Sequence, residues 1–135
     1  MCTVTVTAAR GFRASGVAAG LKSSGALDVA LVVNDGPERT GAAVVTRNRF
    51  AAAPVQWTRQ AVADGRLDAV LLNSGGANAA TGAPGFADAH TSAEAVAAAL
   101  GTSAADVALC STGLIGTRLP MEVLLDGVRR AVKEL

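Results

Sequence analysis

Three short stretches, "LDVALVVN" from Leu27, "LDAVLLNS" from Leu67 and "DVALCS" from Asp106, are almost unbroken runs of aliphatic side chains that stop at small or polar residues. Runs of that length, rich in branched residues, fit strands, and their continuous apolar character leads to the expectation that both faces of the sheet are covered. A fourth run, "GAAVVTR" from Gly41, is read as a strand on the same grounds. Between the runs the period changes to that of helices. One helical pattern starts near Pro54, a favourable first-turn position, passes Trp57, Ala61 and Val62, and stops at Gly65. Another opens with Thr91 and Glu94 in capping-box spacing, continues as "AVAAAL" and meets Gly101 as a stop.

The last helix carries the strongest pattern. Pro120 begins it, and Met121, Leu124, Leu125, Val128, Val132 and Leu135 fall on one face at three- and four-residue steps, so the helix should pack on a sheet. Asp126 with Arg130, and Arg130 with Glu134, are four apart on the other face, where each pair adds only a few tenths of a kcal/mol. Leu135 ends the chain on the apolar stripe with no cap for the last carbonyls, which leads to the expectation that the natural polypeptide runs on. Strands alternating with amphipathic helices give an α/β (α+β) fold with a mixed sheet flanked by helices. Residues 1–10 are read as a mobile N-terminus and residues 11–135 as a single domain, with no internal repeat and no interdomain linker.

Composition narrows the function. Half of the 135 residues are apolar and the net charge is +1, so there is no basic field. With three Phe, one Trp and no Tyr there is no aromatic platform for bases either, and nucleic acid is not an expected partner. No run approaches the ~20 apolar residues a membrane helix needs, and "MCTVTVTAARGF" has no signal-peptide block, so no membrane is expected and the cytoplasm is the expected location. Cys2, in the N-terminus, and Cys110, inside "VALC", are read as two reduced thiols.

Four features offer chemistry. His90 and Cys110 form a conceivable base and nucleophile, but the sequence places no acidic orienter beside them, and one His with two distant Cys gives no metal-ligand spacing. "NSGGANAATG", Asn73 to Gly82, follows a strand and offers adjacent N–H groups to a phosphate, yet it matches neither dinucleotide nor P-loop spacing, and its glycines serve a turn equally well. "CSTGLIGTRLP", Cys110 to Pro120, ends a strand in Ser111, Thr112 and Gly113. Such an ending can aim a hydroxyl and an unobstructed N–H into one small space, as an oxyanion requires, or it can be an ordinary turn.

Taken in order, "GFRASGVAAGLKSSGALDVALV" (Gly11 to Val32), "TRNRFAAAPVQW" (Thr46 to Trp57), "NSGGANAATG" and "CSTGLIGTRLPM" resemble the N-terminal part of the bifunctional ornithine acetyltransferase family, whose members are also called glutamate N-acetyltransferases. The resemblance covers everything after Arg10. It implies a layered sandwich of the ornithine acetyltransferase type, in which a precursor cuts itself into an alpha and a beta chain. The threonine freed at the start of the beta chain takes the acetyl group from N-acetylornithine and passes it to glutamate in arginine biosynthesis, and some members accept acetyl-CoA as donor. A Thr-Gly pair of the alpha chain serves as oxyanion hole, and Thr112 and Gly113 match it position for position. Ser111 and Thr112 are then not nucleophiles. Ser111, one residue earlier on a strand, should point to the opposite side from Thr112.

Departures from the family pattern limit what is implied. The family's M-T-T-D stretch, the lysine near the end of its alpha chain, and the cleavage junction with its nucleophilic threonine are not matched within residues 1–135. Ala80 stands where the family commonly has Cys, a change of packing rather than chemistry. The expected partners are a beta chain carrying the nucleophile, in a hetero-oligomer, together with N-acetylornithine and glutamate; no cofactor and no metal is called for. The alternative is a truncated, catalytically inactive relative that acts as a folded interaction module.

Overall fold

A computed structural model describes residues 5–135. Residues 1–4, and with them Cys2 and the start of the expected mobile N-terminus, lie outside the described residues. After a single 3-10 turn at Val6–Ala8 come the strands β1 (Phe12–Val17), β2 (Val29–Asn34), β3 (Ala69–Gly76) and β4 (Val107–Leu114), with the helices α1 (Ala53–Ala61), α2 (Gly82–Leu100) and α3 (Met121–Lys133). The sheet order follows the chain, β1-β2-β3-β4. The first two pairings are antiparallel and the third, β3 with β4, is parallel, so the expected mixed sheet is present. A parallel pair needs a crossover, and α2 supplies it.

Burial alternates along β2 and β3 and divides the sheet into two unlike faces. Val29, Leu31, Val33, Ala69, Leu71, Val107 and Leu109 are buried together with Ala93 and Val96 of α2 and with Leu124, Val128 and Ala131 of α3. The Ser15 hydroxyl donates to the Ala131 carbonyl at 2.6 Å, which fixes α3 across β1 on this face. On the opposite face Ala30, Val32 and Val70 are only half-buried, and Leu72, Cys110 and Thr112 are exposed. The expectation that both faces are covered is therefore wrong for the described residues: a period-two pattern was concealed because aliphatic side chains occupy the open face as well.

Helix α1 lies along the free edge of β4. The Thr58 hydroxyl accepts from the Leu109 N–H at 2.9 Å and donates to the Leu109 carbonyl at 2.9 Å, and the Trp57 indole N–H donates to the Val107 carbonyl at 2.8 Å. Side chains thus occupy edge groups that would otherwise template another strand. Gly101, in the left-handed region with φ +71°, stops α2 as expected. Leu124 and Val128 of the α3 stripe are fully buried, while Met121, Val132 and Leu135 are partly buried against the same core. On the outer face Asp126 pairs with Arg129 at 3.2 Å and, more loosely, with Arg130 at 4.0 Å.

Three further expectations need correction. The strand proposed from Gly41 does not form: residues 41–48 are irregular and the Val44 side chain is fully exposed. Strand propensity reports fit to a half-buried pleated surface, and among the described residues the nearest pairing is an isolated bridge just before this segment, Thr40 with Arg66. Conversely, β1 was missed because Arg13, Ser15 and Gly16 interrupt its apolar pattern, although an edge strand tolerates them; Arg13 forms a bidentate pair with Asp35. Helix α2 starts nine residues before Thr91, at Gly82, so Thr91 is an interior residue rather than a cap. Gly82, Pro84 and Gly85 read as loop, yet Pro is compatible with a first turn, and Gly85 lies so close to Thr81 and Asn78 that a Cβ there would fall 1.9 Å from the Thr81 hydroxyl.

Candidate functional site

In the parallel ladder Asn73 lies beside Ser111, Ser74 beside Thr112, and Gly75 beside Gly113. Strand parity sends Ser111 to the helix side and Thr112 to the open face, as expected for neighbours on a strand. Thr112 there lines a groove of about 310 Å³ with Gly16, Leu27, Ala30, Leu72, Ser74 and Cys110. The wall is mostly apolar, so a polar group entering it exchanges water for the few donors the groove presents.

Gly113 sets the close approach of the two strand ends. Its φ is +133°, and a Cβ built on it would lie 2.6 Å from the Gly75 carbonyl carbon and 2.6 Å from the Gly76 nitrogen. Gly75 is held in turn from behind by the loop between β1 and β2, because a Cβ there would meet the Leu21 carbonyl oxygen at 2.8 Å. Beyond the strands the connection is kept by the Ala77 N–H donating to the Leu114 carbonyl at 2.9 Å and the Gly116 N–H donating to the Ala79 carbonyl at 2.8 Å. Arg118 adds a bidentate pair to the buried Asp88 of α2, at 2.8 and 2.6 Å.

The loop behind Gly75 is shaped by Asp28. This buried carboxylate accepts from the backbone N–H groups of Ala19 at 2.6 Å, Gly20 at 3.1 Å and Lys22 at 3.0 Å. Burial alone would raise its pKa, but the backbone donors outweigh that and hold the carboxyl below its ordinary value. A depressed folded-state pKa contributes stability that is complete above the unfolded-state value, near 4, and is lost as pH falls through the lower folded-state value. Asp28→Asn is therefore expected to be less stable than the parent chain at neutral pH, with the gap narrowing as pH falls below about 4. Urea midpoints measured from pH 7 to pH 2.5 check this, and a gap that stays constant with pH would refute the assignment.

His90 and Cys110 are not brought together. His90 is on α2, stacked on Trp57 at 5.0 Å and 3.5 Å from Glu94. Cys110 lies on the open face of the sheet, a free thiol whose pKa is raised by burial. Among the described residues no group of three or more His, Cys, Asp or Glu is placed to hold a metal ion. Among the described residues no helix is long and apolar enough to cross a membrane.

Sequence reasoning placed Asn73 at the head of a glycine-rich stretch and missed its buried side chain. It is 7% exposed, on the same side of β3 as Leu71, and its side-chain oxygen accepts from the Ser111 hydroxyl at 2.5 Å. The available signal was parity: Ala69, Leu71 and Asn73 share one side of the strand, and a polar side chain on a buried side needs a partner.

The ArgJ family model matches residues 13–135. The chain is 64% identical over 131 residues to the arginine biosynthesis bifunctional protein ArgJ of Thermobifida fusca, taking in 97% of this chain and 34% of that protein. The protein of the same description from Mycobacterium tuberculosis is 63% identical over 135 residues, with 96% and 33% covered. The chain thus spans about a third of the length of the curated relatives it matches. A crystal structure of the M. tuberculosis ornithine acetyltransferase complexed with ornithine superposes with a TM-score of 0.94 at 63% identity, covering 96% of this chain and 69% of that one. The Bacillus halodurans ArgJ structure gives a TM-score of 0.89 at 40% identity, with 94% and 66% covered.

Proposed function

The chain belongs to the ArgJ family, and from that membership we propose that residues 11–135 are the leading part of an acetyltransferase alpha chain whose Thr112 and Gly113 form an oxyanion hole. The reaction is acetyl transfer from N-acetylornithine to glutamate in arginine biosynthesis, in the cytoplasm. A threonine hydroxyl of the beta chain attacks the acetyl carbonyl, forming a carbon–oxygen bond while the carbonyl oxygen becomes an oxyanion. Collapse breaks the carbon–nitrogen bond, ornithine leaves with a proton, and the glutamate amine then attacks the acyl-threonine in the same way. Both steps put negative charge on one oxygen, so a donor fixed beforehand lowers both barriers, by ~3 to 4 kcal/mol for a well-placed one.

The observation that carries this reading is the placement of Thr112: its side chain faces an apolar groove while the residues on either side of it are tied to neighbouring strand and loop. A donor held by its scaffold needs no reorganisation as charge develops. The open face also fits an alpha chain that packs against a beta chain, since Leu72 within β3, Leu114 at the end of β4 and Ile115 just beyond it are exposed. Identity of 63 to 64% to biosynthetic proteins over nearly the whole chain weighs against the inactive-module alternative.

The test compares two samples. Purified residues 1–135 with N-acetylornithine and glutamate are expected to release no ornithine above buffer, because an activated nucleophile is missing. The same residues joined to the remaining two thirds of the M. tuberculosis relative are expected to release it. An inactive joined protein, with the unaltered relative active alongside, would sink the proposal. Turnover by residues 1–135 alone would instead point to Ser111 or Cys110 as nucleophile.

A further inference from the structure

We propose that Asn73 is a positioning residue of the acetyl-transfer site, acting through Ser111 to hold Thr112 and Gly113 in register; the inference rests on the oxyanion role proposed above. Its one amide reaches both strand ends. The side-chain oxygen accepts from the Ser111 hydroxyl at 2.5 Å, and the side-chain nitrogen donates to the Gly76 carbonyl at 3.2 Å. The roles cannot be exchanged. A flipped amide would set its oxygen against the Gly76 carbonyl, and a carbonyl cannot donate. Ser111 is therefore the donor in its pair and Asn73 the acceptor.

The need for such a tie follows from the backbone. Gly75, at φ +110°, and Gly113, at φ +133°, pack against each other with no side chain between them, and Gly76 continues the same stretch. Glycine leaves the chain free to take many conformations, so these strand ends have few restraints of their own. The bonds from Ala77 to Leu114 and from Gly116 to Ala79 fasten the far side of the glycines. Asn73 and Ser111 fasten the near side, immediately before Thr112, through a side-chain bond on the helix side of the sheet, while both residues also line the groove. Both ends of the Asn73 amide are engaged, by the Ser111 hydroxyl and the Gly76 carbonyl, so its effect on rate passes through Ser111 and the backbone.

The protein for the test is the joined enzyme described above, assayed for transfer from N-acetylornithine to glutamate with active sites counted by acetyl-enzyme formation. Asn73→Ala is expected to lower kcat per active site about 10- to 100-fold with KM changed less than about twofold, since small misplacements of catalytic groups have costs of that order. Ser111→Ala should lower it in the same direction. The double variant should be no slower than the slower single, because both remove one tie. Asn73→Asp supplies a readout that a purely structural role would not move. A carboxylate still accepts from Ser111 but opposes the Gly76 carbonyl, whereas its protonated form can donate there, so kcat of this variant relative to the parent should recover as pH falls.

Parent-like kcat per active site in Asn73→Ala and Asn73→Asp, with only the folded fraction reduced, would overturn the inference. So would losses that multiply in the double variant. Where Asn73→Ala fails to fold, Ser111→Ala and Asn73→Asp decide the matter by the same criteria. A slow Thr112→Ala beside normal Asn73 variants refutes the positioning role alone. A silent Thr112→Ala refutes the oxyanion reading itself, and the positioning role with it.

Discussion

Replacing Thr112 with Ala in the joined enzyme is expected to slow turnover by ~100-fold or more, the scale on which a single oxyanion donor acts. Ground-state binding should change little, since the hydroxyl matters most when the acetyl oxygen carries charge. Stability should change little as well. Thr112 is exposed and belongs to the open face of the sheet, so losing its hydroxyl opens no cavity among the helices. Thr112→Ser keeps the donor and should retain most of the rate. Ser111→Ala should have a smaller effect than Thr112→Ala, because the Ser111 hydroxyl is already committed to Asn73. Steady-state kcat and KM for the three variants, measured beside their melting temperatures, check this. If Ser111→Ala abolished activity while Thr112→Ala were silent, the oxyanion role would have been assigned one residue out of register.

The contrast between those two neighbours shows how far the sequence could be read. Opposite orientation of Ser111 and Thr112 follows from strand periodicity alone, and "VALC" was apolar enough to identify the strand. The α3 stripe was equally legible, because Leu124 and Val128 recur at helical spacing and both are buried. Other features depend on tertiary context. Arg13 and Ser15 conceal β1 in the sequence, and their place in a strand becomes intelligible only through Asp35 and the Ala131 carbonyl, distant in sequence. Val44 and Val45 look like strand residues but find no edge with which to pair, and Gly85 looks like a loop residue until Asn78 and Thr81 are seen to pack against it. The candidate site divides in the same way. Thr112 and Gly113 came from a four-motif resemblance, whereas Asn73 and the Asp28 loop behind Gly75 required coordinates, since no local pattern says which buried polar group answers which.

Gly113→Ala is expected to have an effect as large on activity and a much larger one on stability. The native φ of +133° is one that residues with a Cβ rarely adopt, at a cost of ~1 to 3 kcal/mol. The new methyl group would also fall 2.6 Å from two backbone atoms of Gly75 and Gly76, which cannot rotate aside as a side chain can. Gly75 cannot easily retreat, because the Leu21 carbonyl blocks it and Asp28 holds that loop through three N–H bonds. The ends of β3 and β4 must therefore separate, carrying Thr112 away from the position proposed for the acetyl oxygen, and a displacement of about 1 Å can cost ~100-fold in rate. Gly116→Ala is the control: its φ is +85°, but a Cβ there meets nothing within 4 Å, so only the conformational cost applies. Gly113→Ala should thus lose both kcat and several degrees of melting temperature, Thr112→Ala kcat alone, and Gly116→Ala a little stability with most of its kcat. A Gly113→Ala enzyme with the parent's kcat and melting temperature would mean that the two glycine strands do not meet as described, and the oxyanion geometry built on their contact would fall with it.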